Sequence, residues 1–229
     1  MSESNFFRFS KKKIDKYNGW NKSSIIKIQL NSKDVTTYQE LIKIEKKIIK
    51  NEKLIIIKKG KVNIMVDKKL YKMGKLDALN LFSNCKNLKI MATEDSEIYL
   101  VSCLTNKNKL GNPFFFNLKR DIKSKNLWGG KCISRVYYGG ELNLVMFNLK
   151  KGFKFHDNGH KNEQITWLIK GEMEFYADKK NKLLKIDNGV SIGKNHPHGG
   201  VSKGAIGFDA FFPKREDGKY MQPIKTFKF

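Results

Sequence analysis

Arginine, cysteine, proline and histidine are all scarce in this sequence, and it has no long hydrophobic run. Its 229 residues include three cysteines, four prolines and four histidines. The widely spaced cysteines form no CxxC pair and no disulfide framework, so we expect reduced thiols and a cytoplasmic protein. Residues 1–13 lack the apolar region of a secretory signal, so we expect none, and no apolar run approaches about 20 residues. The 40% of hydrophobic residues predicts a globular chain with a substantial core.

Lysine carries almost all of the positive charge. Lysine and arginine number 46 against 22 aspartates and glutamates, which gives a net charge of +24. Cations that neutralise phosphates favour nucleic-acid binding. However, the lysines are spread over the whole chain, and the arginine that base-reading sites prefer is scarce. We therefore expect no specific nucleic-acid partner and no membrane partner, and a positive field that attracts a small anionic substrate.

Short strands separated by glycine, asparagine and aspartate turns dominate the pattern. Eight segments are typical of strands: Lys53–Ile57, Lys61–Val66, Ile98–Val101, Cys132–Tyr138, Leu142–Leu149, Ile165–Ile169, Glu172–Ala177 and Ala205–Phe212. Many short strands of this kind predict an all-β fold, either a sandwich or a barrel.

One segment of the first half recurs in the second half. The tetrapeptide that ends at Gly60 matches the one that ends at Gly171, 111 residues later, and an Asp-Lys-Lys sequence follows each after six residues. An offset near half of the chain indicates two copies of one structural unit. We therefore predict two β-domains, residues 1–125 and residues 126–229.

The histidines are confined to the second copy. They are His156, His160, His196 and His198. The side chains of His156, Asn158 and His160 point to one face if that segment is extended. Imidazoles that converge from two segments on one barrel face are typical of a transition-metal site. The first copy has no histidine, so we expect it to be a degenerate, metal-free domain and the second to bind the metal.

The spacing around these histidines resembles the first cupin motif, which runs Gly, five residues, His-x-His, three or four residues, Glu or Gln, six residues and Gly. Here Gly152 is followed at matching intervals by Asn158-Gly-His160, Gln164 and Gly171. Asparagine replaces the first histidine. The second cupin motif is similar to the segment that ends at His198-Gly. The resemblance implies two tandem cupin barrels (double-stranded β-helix or jelly-roll domains), with a metal in the mouth of the second.

The end of the chain resembles a narrower group of cupins. The segment Asp209-Ala-Phe-Phe-Pro-Lys-Arg215-Glu-Asp217 is similar to the ending of the KdgF-type cupins of pectin and alginate breakdown. Those proteins convert 4,5-unsaturated uronates to linear ketouronates. The resemblance covers residues 132–220 and implies that the second copy acts on a sugar acid.

The resemblance also implies roles for individual residues. It assigns three metal ligands, His160, Gln164 and His198, and two catalytic residues, Asp209 and Arg215. Because asparagine replaces one histidine, the fourth ligand remains open: His156 through a bulged strand, the amide of Asn158, or no further protein group. The expected cofactor is a divalent transition metal, one of Zn, Ni, Mn or Fe.

Neutral ligands would leave the ion its full charge, so that it acts as a Lewis acid and stabilises a developing oxyanion. Oxygen-activating iron sites typically use two histidines and one carboxylate, and Gln164 in the usual carboxylate position argues against one. Asp209 is then the candidate acid or base. Arg215 is the candidate anchor for a substrate carboxylate, with an ion pair to Glu216 or Asp217 as its structural alternative.

Three functions compete. The first is an enzyme that opens or isomerises an unsaturated uronate. The second is a cupin lyase acting on a small sulfonium or carboxylate substrate, which requires a tyrosine near the metal. The third is a sugar-binding bicupin without catalysis. Arg135 and Tyr176 are the candidate substrate-binding residues, and we expect a monomeric bicupin or a homodimer.

Overall fold

The computed structural model describes residues 4–19, 23–37, 39–41, 51–82, 87–104, 112–215 and 222–223. Nearly all regular structure in these residues is β-strand, arranged in four antiparallel sheets. Within the same residues, no helix has the length and apolar character needed to cross a membrane. Cys103 and Cys132 are buried and are not joined in a disulfide, and Cys85 lies outside the described residues. The predicted all-β class is confirmed.

The strands divide into two compact units. The first barrel contains β2 (Ile14–Asn18), β3 (Ser23–Leu30), β4 (Val35–Thr37), β5 (Asn51–Lys59), β6 (Val62–Val66), β7 (Lys69–Met73), β8 (Asp77–Leu81), β9 (Leu88–Ala92), β10 (Ser96–Leu104) and β11 (Phe114–Asn117). The second barrel contains β1 (Asn5–Arg8), β12 (Lys125–Leu127), β13 (Cys132–Tyr138), β14 (Asn143–Leu149), β15 (Lys154–Asp157), β16 (Glu163–Lys170), β17 (Met173–Ala177), β18 (Lys180–Leu184), β19 (Asn188–Ile192), β20 (His198–Ser202), β21 (Ala205–Phe212) and β22 (Gln222–Pro223).

The first barrel encloses an aliphatic core between two sheets. One sheet has the order β11-β8-β5-β10-β3-β2, and the other has the order β4-β9-β6-β7. Along β6 the side chains of Val62, Ile64 and Val66 are buried, whereas the two between them are not. This alternation follows from the two-residue period of a strand. The buried residues join isoleucines and leucines of the facing sheet, such as Ile55 and Leu100, in one hydrophobic cluster.

The second barrel repeats this plan with an aromatic core. Its sheets have the orders β1-β19-β16-β21-β14-β13-β12 and β18-β17-β20-β15-β22. Phe147, Phe155 and Phe175 lie in the cluster between them. The edge strand β1 pairs with β19 as β11 pairs with β8 in the first barrel. The first strand of the chain therefore completes the barrel formed by the second half, an exchange that the halves predicted from the sequence did not include.

The predicted repeat has a backbone counterpart. Gly60 and Gly171, 111 residues apart, both have positive φ angles, +85° and +75°. A Cβ atom at Gly60 would lie 2.4 Å from the carbonyl oxygen of Asp95, and one at Gly171 would lie 1.7 Å from that of Gly204. Only glycine therefore fits either turn without a shift of the backbone.

Candidate metal centre

Two potential metal ligands, Asp157 and His198, lie on the inner face of β15 and β20. Asp157 pairs in register with His198. Asp157 is two residues from Phe155, which lies in the hydrophobic core, and residues two apart on a strand share a face. Asp157 and His198 therefore both point into the barrel.

His160 reaches the same place from the turn that follows β15. Between them, Gly159 has a φ of +106°, and a Cβ atom there would lie 2.7 Å from the carbonyl carbon of Asn195. The backbone N–H of Asn195 donates to the carbonyl of His160 over 2.8 Å. The two segments that carry His160 and His198 are thus packed directly on each other, which fixes the distance between their imidazoles.

Three potential ligands converge. One donor atom each from Asp157, His160 and His198 lies within 4.8 Å of the other two. On the opposite sheet, Gln164 of β16 places Oε1 3.0 Å from Nε2 of His160. The two histidines and Gln164 are buried, so the group is shielded from bulk water.

The protonation state of the group suits metal binding. Nδ1–H of His198 donates to the backbone carbonyl of His196 over 2.9 Å, which leaves the lone pair on Nε2. Burial lowers the pKa of His198 to about 4. Burial and the charge of Arg215 lower the pKa of His160 as well. Burial alone would raise the pKa of Asp157, but its interactions with Arg215 and His198 outweigh this effect and lower it. At neutral pH the group therefore consists of neutral imidazoles and an ionised carboxylate.

A hydrogen-bonded network fixes the orientation of Gln164. Its Nε2 donates to Thr166 Oγ1 over 2.8 Å and to Asp209 Oδ1 over 3.1 Å. Thr166 in turn donates to Asp209 over 2.6 Å. Oε1 of Gln164 is consequently turned toward His160. Burial raises the pKa of Asp209 to about 7, although these two hydrogen bonds and Arg215 act to lower it.

These donors fit a divalent first-row transition metal. Two imidazole nitrogens, an amide oxygen and a carboxylate oxygen make a mixed nitrogen and oxygen set, which such ions accept. His198 is also oriented by the hydrogen bond of its other ring nitrogen, Nδ1, as is usual for metal-binding histidines. The second barrel thus contains a His/Asp group that is able to hold a metal ion.

Arg215 lies beside this group, 5% exposed. Its Nη1 donates to Asp157 Oδ2 over 2.8 Å, and its backbone N–H donates to Asn143 Oδ1 over 2.6 Å. The guanidinium carbon also lies 5.6 Å from the ring centroid of Phe211. The expected alternative partners of Arg215, Glu216 and Asp217, lie outside the described residues.

His156, Asn158 and Tyr176 lie on the outer face. His156 Nδ1 is hydrogen-bonded to the Tyr176 hydroxyl, and its Nε2 to Asn158 Oδ1 over 2.6 Å. The prediction that His156, Asn158 and His160 share a face assumed an extended segment. Because β15 ends at Asp157, His160 turns inward without the other two. The placement brings neither His156 nor Asn158 to the potential ligands, and it puts Tyr176 on the wrong side of β17 for substrate binding there.

Arg135 is on the face of its sheet opposite to Asp209. It pairs with Met146, which pairs with Phe208, and directly paired residues share a face. Asp209 follows Phe208 and therefore points to the other side. The expected substrate-binding role of Arg135 at this site is not supported, because alternation along β21 separates the two residues.

Asp157, Thr166 and Asn143 were missed by the sequence interpretation. Asp157 could have been found from strand parity, because it is two residues from the apolar Phe155 and follows the same face. Nothing in the sequence marked Thr166 or Asn143, whose partners are 43 and 72 residues away.

Comparison with known proteins supports the architecture. No family model matches the sequence, and no curated protein sequence matches it. Among solved structures, a putative glyoxylate-induced protein from Pseudomonas aeruginosa is similar with a TM-score of 0.70 and 10% identity, over 98% of this chain and 84% of that one. A cupin 2 conserved barrel domain protein from Leptotrichia buccalis has a TM-score of 0.62 and 14% identity, over 93% of this chain and 98% of that one.

A mutant of the oxalate decarboxylase from Bacillus subtilis is also similar, with a TM-score of 0.69 and 10% identity, over 92% of this chain and 77% of that one. Identities this low establish the fold and leave the reaction open. The chain therefore has the fold of two tandem cupin barrels.

Proposed function

We propose that the chain is a metal-dependent enzyme acting on a small anionic, sugar-type substrate. The specific reaction is conversion of a 4,5-unsaturated uronate to a linear ketouronate. The observation that carries this proposal is the position of Asp209. Its buried carboxyl group is hydrogen-bonded to Gln164, beside the potential metal ligands, and its pKa of about 7 is near neutrality. A carboxyl group with such a pKa is suited to accept and return a proton.

The proposed reaction is an isomerisation and consumes no other reagent. The hydroxyl group at C1 loses its proton, the bond between C1 and the ring oxygen breaks, and C1 becomes an aldehyde. The enolate released at C5 is protonated at C4 and becomes a ketone. Asp209 is the candidate for moving the proton between these positions. A divalent cation held by the site would stabilise the negative charge that develops on oxygen.

Arg215 supports an anionic substrate. Its charge reaches the site, since it contributes to the shifts in the pKa of His160, His198 and Asp209. A guanidinium group beside a metal-binding group is suited to attract a substrate carboxylate. The overall charge of +24 acts in the same direction by attracting anions over a longer range.

We also propose Asp157 as the ligand that replaces the histidine missing at position 158. It is the neighbour of Asn158, points inward and lies within 4.8 Å of both imidazoles. Its ion pair with Arg215 and its hydrogen bond from Gly159 hold it in this orientation. The proposed ligand set is then His160, Gln164, His198 and Asp157.

Asp157 also favours a second candidate function. Gln164 occupies the usual carboxylate position, which favoured a site other than an oxygen-activating iron site. With Asp157 present, two histidines and one carboxylate come together, as in many iron oxygenases. An iron-dependent, oxygen-consuming reaction on a small anionic substrate is therefore the alternative. The lyase hypothesis is weaker, because Tyr176 is on the outer face.

The test is turnover by protein reloaded separately with Zn, Ni, Mn or Fe. Unsaturated uronates are incubated with each form, loss of the conjugated double bond is followed by absorbance, and the product is identified by NMR. Oxygen uptake is recorded in parallel. Isomerised product without oxygen uptake is expected. Oxygen uptake with the iron form alone would favour the second function, and tight uronate binding without product would favour a sugar-binding bicupin.

A further inference from the structure

We propose that the N-terminal strand positions the metal ligand His198. Four residues are involved, and together we name them the N-terminal clamp: Ser4, Phe6, Asp178 and His196. All four lie in the second barrel and reach His198 by two separate routes. This inference rests on the proposed metal site, since it assigns positioning residues to one of its ligands.

The first route runs through Asp178. Ser4, fully buried, donates to Asp178 Oδ2 from both its backbone N–H (2.9 Å) and its hydroxyl group (2.7 Å). The other oxygen of Asp178 is 2.5 Å from His196 Nδ1. The backbone N–H of Asp178 donates to the carbonyl of Pro197 over 3.1 Å. Asp178 thus joins the start of the chain to both residues that precede His198.

His196 connects Asp178 to the metal ligand His198. Its backbone carbonyl is the acceptor for Nδ1–H of His198. That hydrogen bond selects the tautomer whose Nε2 lone pair faces the barrel interior, and it sets the rotation of the ring. A second hydrogen bond of this kind commonly decides how well an imidazole binds a metal. A displaced 196–197 backbone would therefore misdirect His198.

The second route runs through aromatic rings. Phe6 on β1 packs edge-on against Phe175, with ring centroids 6.4 Å apart. Phe175 in turn stacks against His198, with centroids 6.2 Å apart and an interplanar angle of 16°. Pairing of β1 with β19 fixes the register of Phe6 opposite Val190. The Phe175 ring that stacks against His198 is therefore itself in contact with the N-terminal strand through Phe6.

The first barrel supplies matched controls. Asp67 lies 111 residues before Asp178, also has a positive φ angle, and accepts a hydrogen bond from the backbone N–H of Asn87 over 3.0 Å. Phe115 on β11 pairs with Leu79 of β8, as Phe6 pairs with Val190 of β19. The barrel of Asp67 and Phe115 contains no histidine. Changes at these two positions perturb equivalent turns and strands without a route to His198.

The experiment compares Asp178→Gly with Asp67→Gly, and Phe6→Ala with Phe115→Ala, in the full chain. Glycine tolerates the positive φ of both aspartates, so the variants lose the side chain without added strain. Two properties are measured. The ring tautomer of His198 is determined by ¹⁵N NMR in metal-free protein, and the Co²⁺ dissociation constant by competition with a chromophoric chelator.

In wild type we expect one His198 tautomer, with the proton on Nδ1. Asp178→Gly should give a mixture of tautomers and a roughly 10- to 100-fold weaker Co²⁺ affinity, as for other residues that orient ligands. Asp178→Asn, which keeps an acceptor oxygen, should recover part of both. Phe6→Ala should weaken Co²⁺ binding while the tautomer is retained. Both controls should match wild type.

Wild-type tautomer and Co²⁺ affinity in both Asp178→Gly and Phe6→Ala would overturn the proposal. If Asp178→Gly does not fold, Ser4→Ala and Phe6→Leu are measured by the same two methods and judged by the same criterion. If wild type binds no metal, the proposed metal site fails. The NMR comparison then still decides whether the clamp orients His198.

Discussion

The two barrels place different chemistry on the same cross-strand pair. In the first barrel, Ile55 of β5 pairs with Leu100 of β10. In the second, Thr166 of β16 pairs with Asp209 of β21. Both pairs are buried, but one belongs to an aliphatic cluster and the other to a hydrogen-bonded network. The same backbone therefore supports either a continuous apolar core or a buried acid.

The next pair on the same face of each sheet, two residues along the strands, shows a second difference. Lys53 pairs with Ser102 in the first barrel, and Gln164 pairs with Phe211 in the second. An ammonium group cannot bind a cation, whereas an amide oxygen can. Burial of polar groups is costly unless they are hydrogen-bonded. The second barrel meets that requirement by joining Gln164, Thr166 and Asp209 in one network. The comparison predicts that metal chemistry resides in the second barrel alone.

The largest effect is expected when both imidazoles are removed. Wild type should carry about one equivalent of a transition metal, and the His160→Ala/His198→Ala variant none, because only an amide and a carboxylate remain. Plasma mass spectrometry on untagged protein measures this directly. Lys53→Gln in the first barrel is the control and should leave the metal content unchanged. Wild type that stays metal-free after reloading with Zn, Ni, Mn and Fe would refute the metalloenzyme proposal.

Removal of the buried acid should abolish most turnover and spare the metal. Asp209→Asn is isosteric, and we expect its turnover of the unsaturated uronate to fall by a factor of roughly 10² to 10⁴, the usual contribution of a general acid or base. The metal content should remain that of wild type. Thr166→Ser, which keeps the donor to Asp209, serves as the control. Unchanged turnover in Asp209→Asn would exclude Asp209 as the acid or base.

The largest contributions to the pH dependence of the stability of metal-free protein should come from two opposing groups, Asp209 and His198. Asp209 has a pKa of about 7 against an ordinary 3.8, so its contribution is present at low pH and is lost as the pH rises to about 7. His198 has a pKa of about 4 against an ordinary 6.5, so its contribution is present above 6.5 and is lost as the pH falls to about 4. Linkage gives each an upper limit on the order of 3 to 4 kcal/mol.

Within the site, Asp209→Asn should leave only the effect of the groups whose pKa is lowered, which are His198, His160 and Asp157. Its free energy of unfolding, measured by urea titration in the presence of a chelator, should then rise from about pH 4 to about pH 6.5 more steeply than that of wild type. Identical profiles for the two proteins would show that Asp209 does not carry the raised pKa.

The equivalent turn glycines test whether the two barrels share their backbone constraints. Gly60→Ala and Gly171→Ala should each lower the free energy of unfolding by about 1 to 3 kcal/mol or more, because both residues have positive φ angles. Gly171→Ala should cost more, since its Cβ would lie 1.7 Å from a carbonyl oxygen against 2.4 Å at Gly60. Urea denaturation measures both. An unchanged free energy of unfolding in either variant would show that the two turns do not constrain the backbone in the same way.

The smallest effect is expected at the outer face of the second barrel. Tyr176→Phe removes the hydrogen bond to His156 and should cost about 1 kcal/mol of stability. Turnover and metal content should remain those of wild type, because neither residue points to the site. A loss of turnover as large as that expected for Asp209→Asn would instead support the lyase hypothesis.

Much of the fold could be predicted from the sequence because its signals are local. Cys132–Tyr138 and Ala205–Phe212 are strands with the predicted bounds. Fourteen of the 22 strands in the described residues lie outside the eight predicted segments. Two of these fourteen, β7 and β18, are edge strands rich in lysine. Lysines at an edge discourage pairing with another chain, and they also mask the apolar alternation that identifies a strand.

The site was harder to predict than the fold. His160, Gln164 and His198 were found from motif spacing, and the structure brings them together. The fourth group, Asp157, was missed because successive side chains of a strand point to opposite faces. His156 points outward, whereas its neighbour Asp157 points inward. The ion pair between Asp157 and Arg215 spans 58 residues of sequence. Local patterns carry no information about such a contact.

The exchange of β1 has a consequence for the order of synthesis. Asn5 pairs with Ser191, so β1 leaves the ribosome well before the strand with which it pairs. At about 5 to 20 residues per second, this delay is roughly 10 to 40 seconds. During that time β1 cannot pair with β19, and Phe6 stays outside the core cluster against which it packs in the folded barrel. A C-terminal fragment beginning at residue 122 would lack the same strand, and a synthetic peptide of residues 4–8 would be its natural complement.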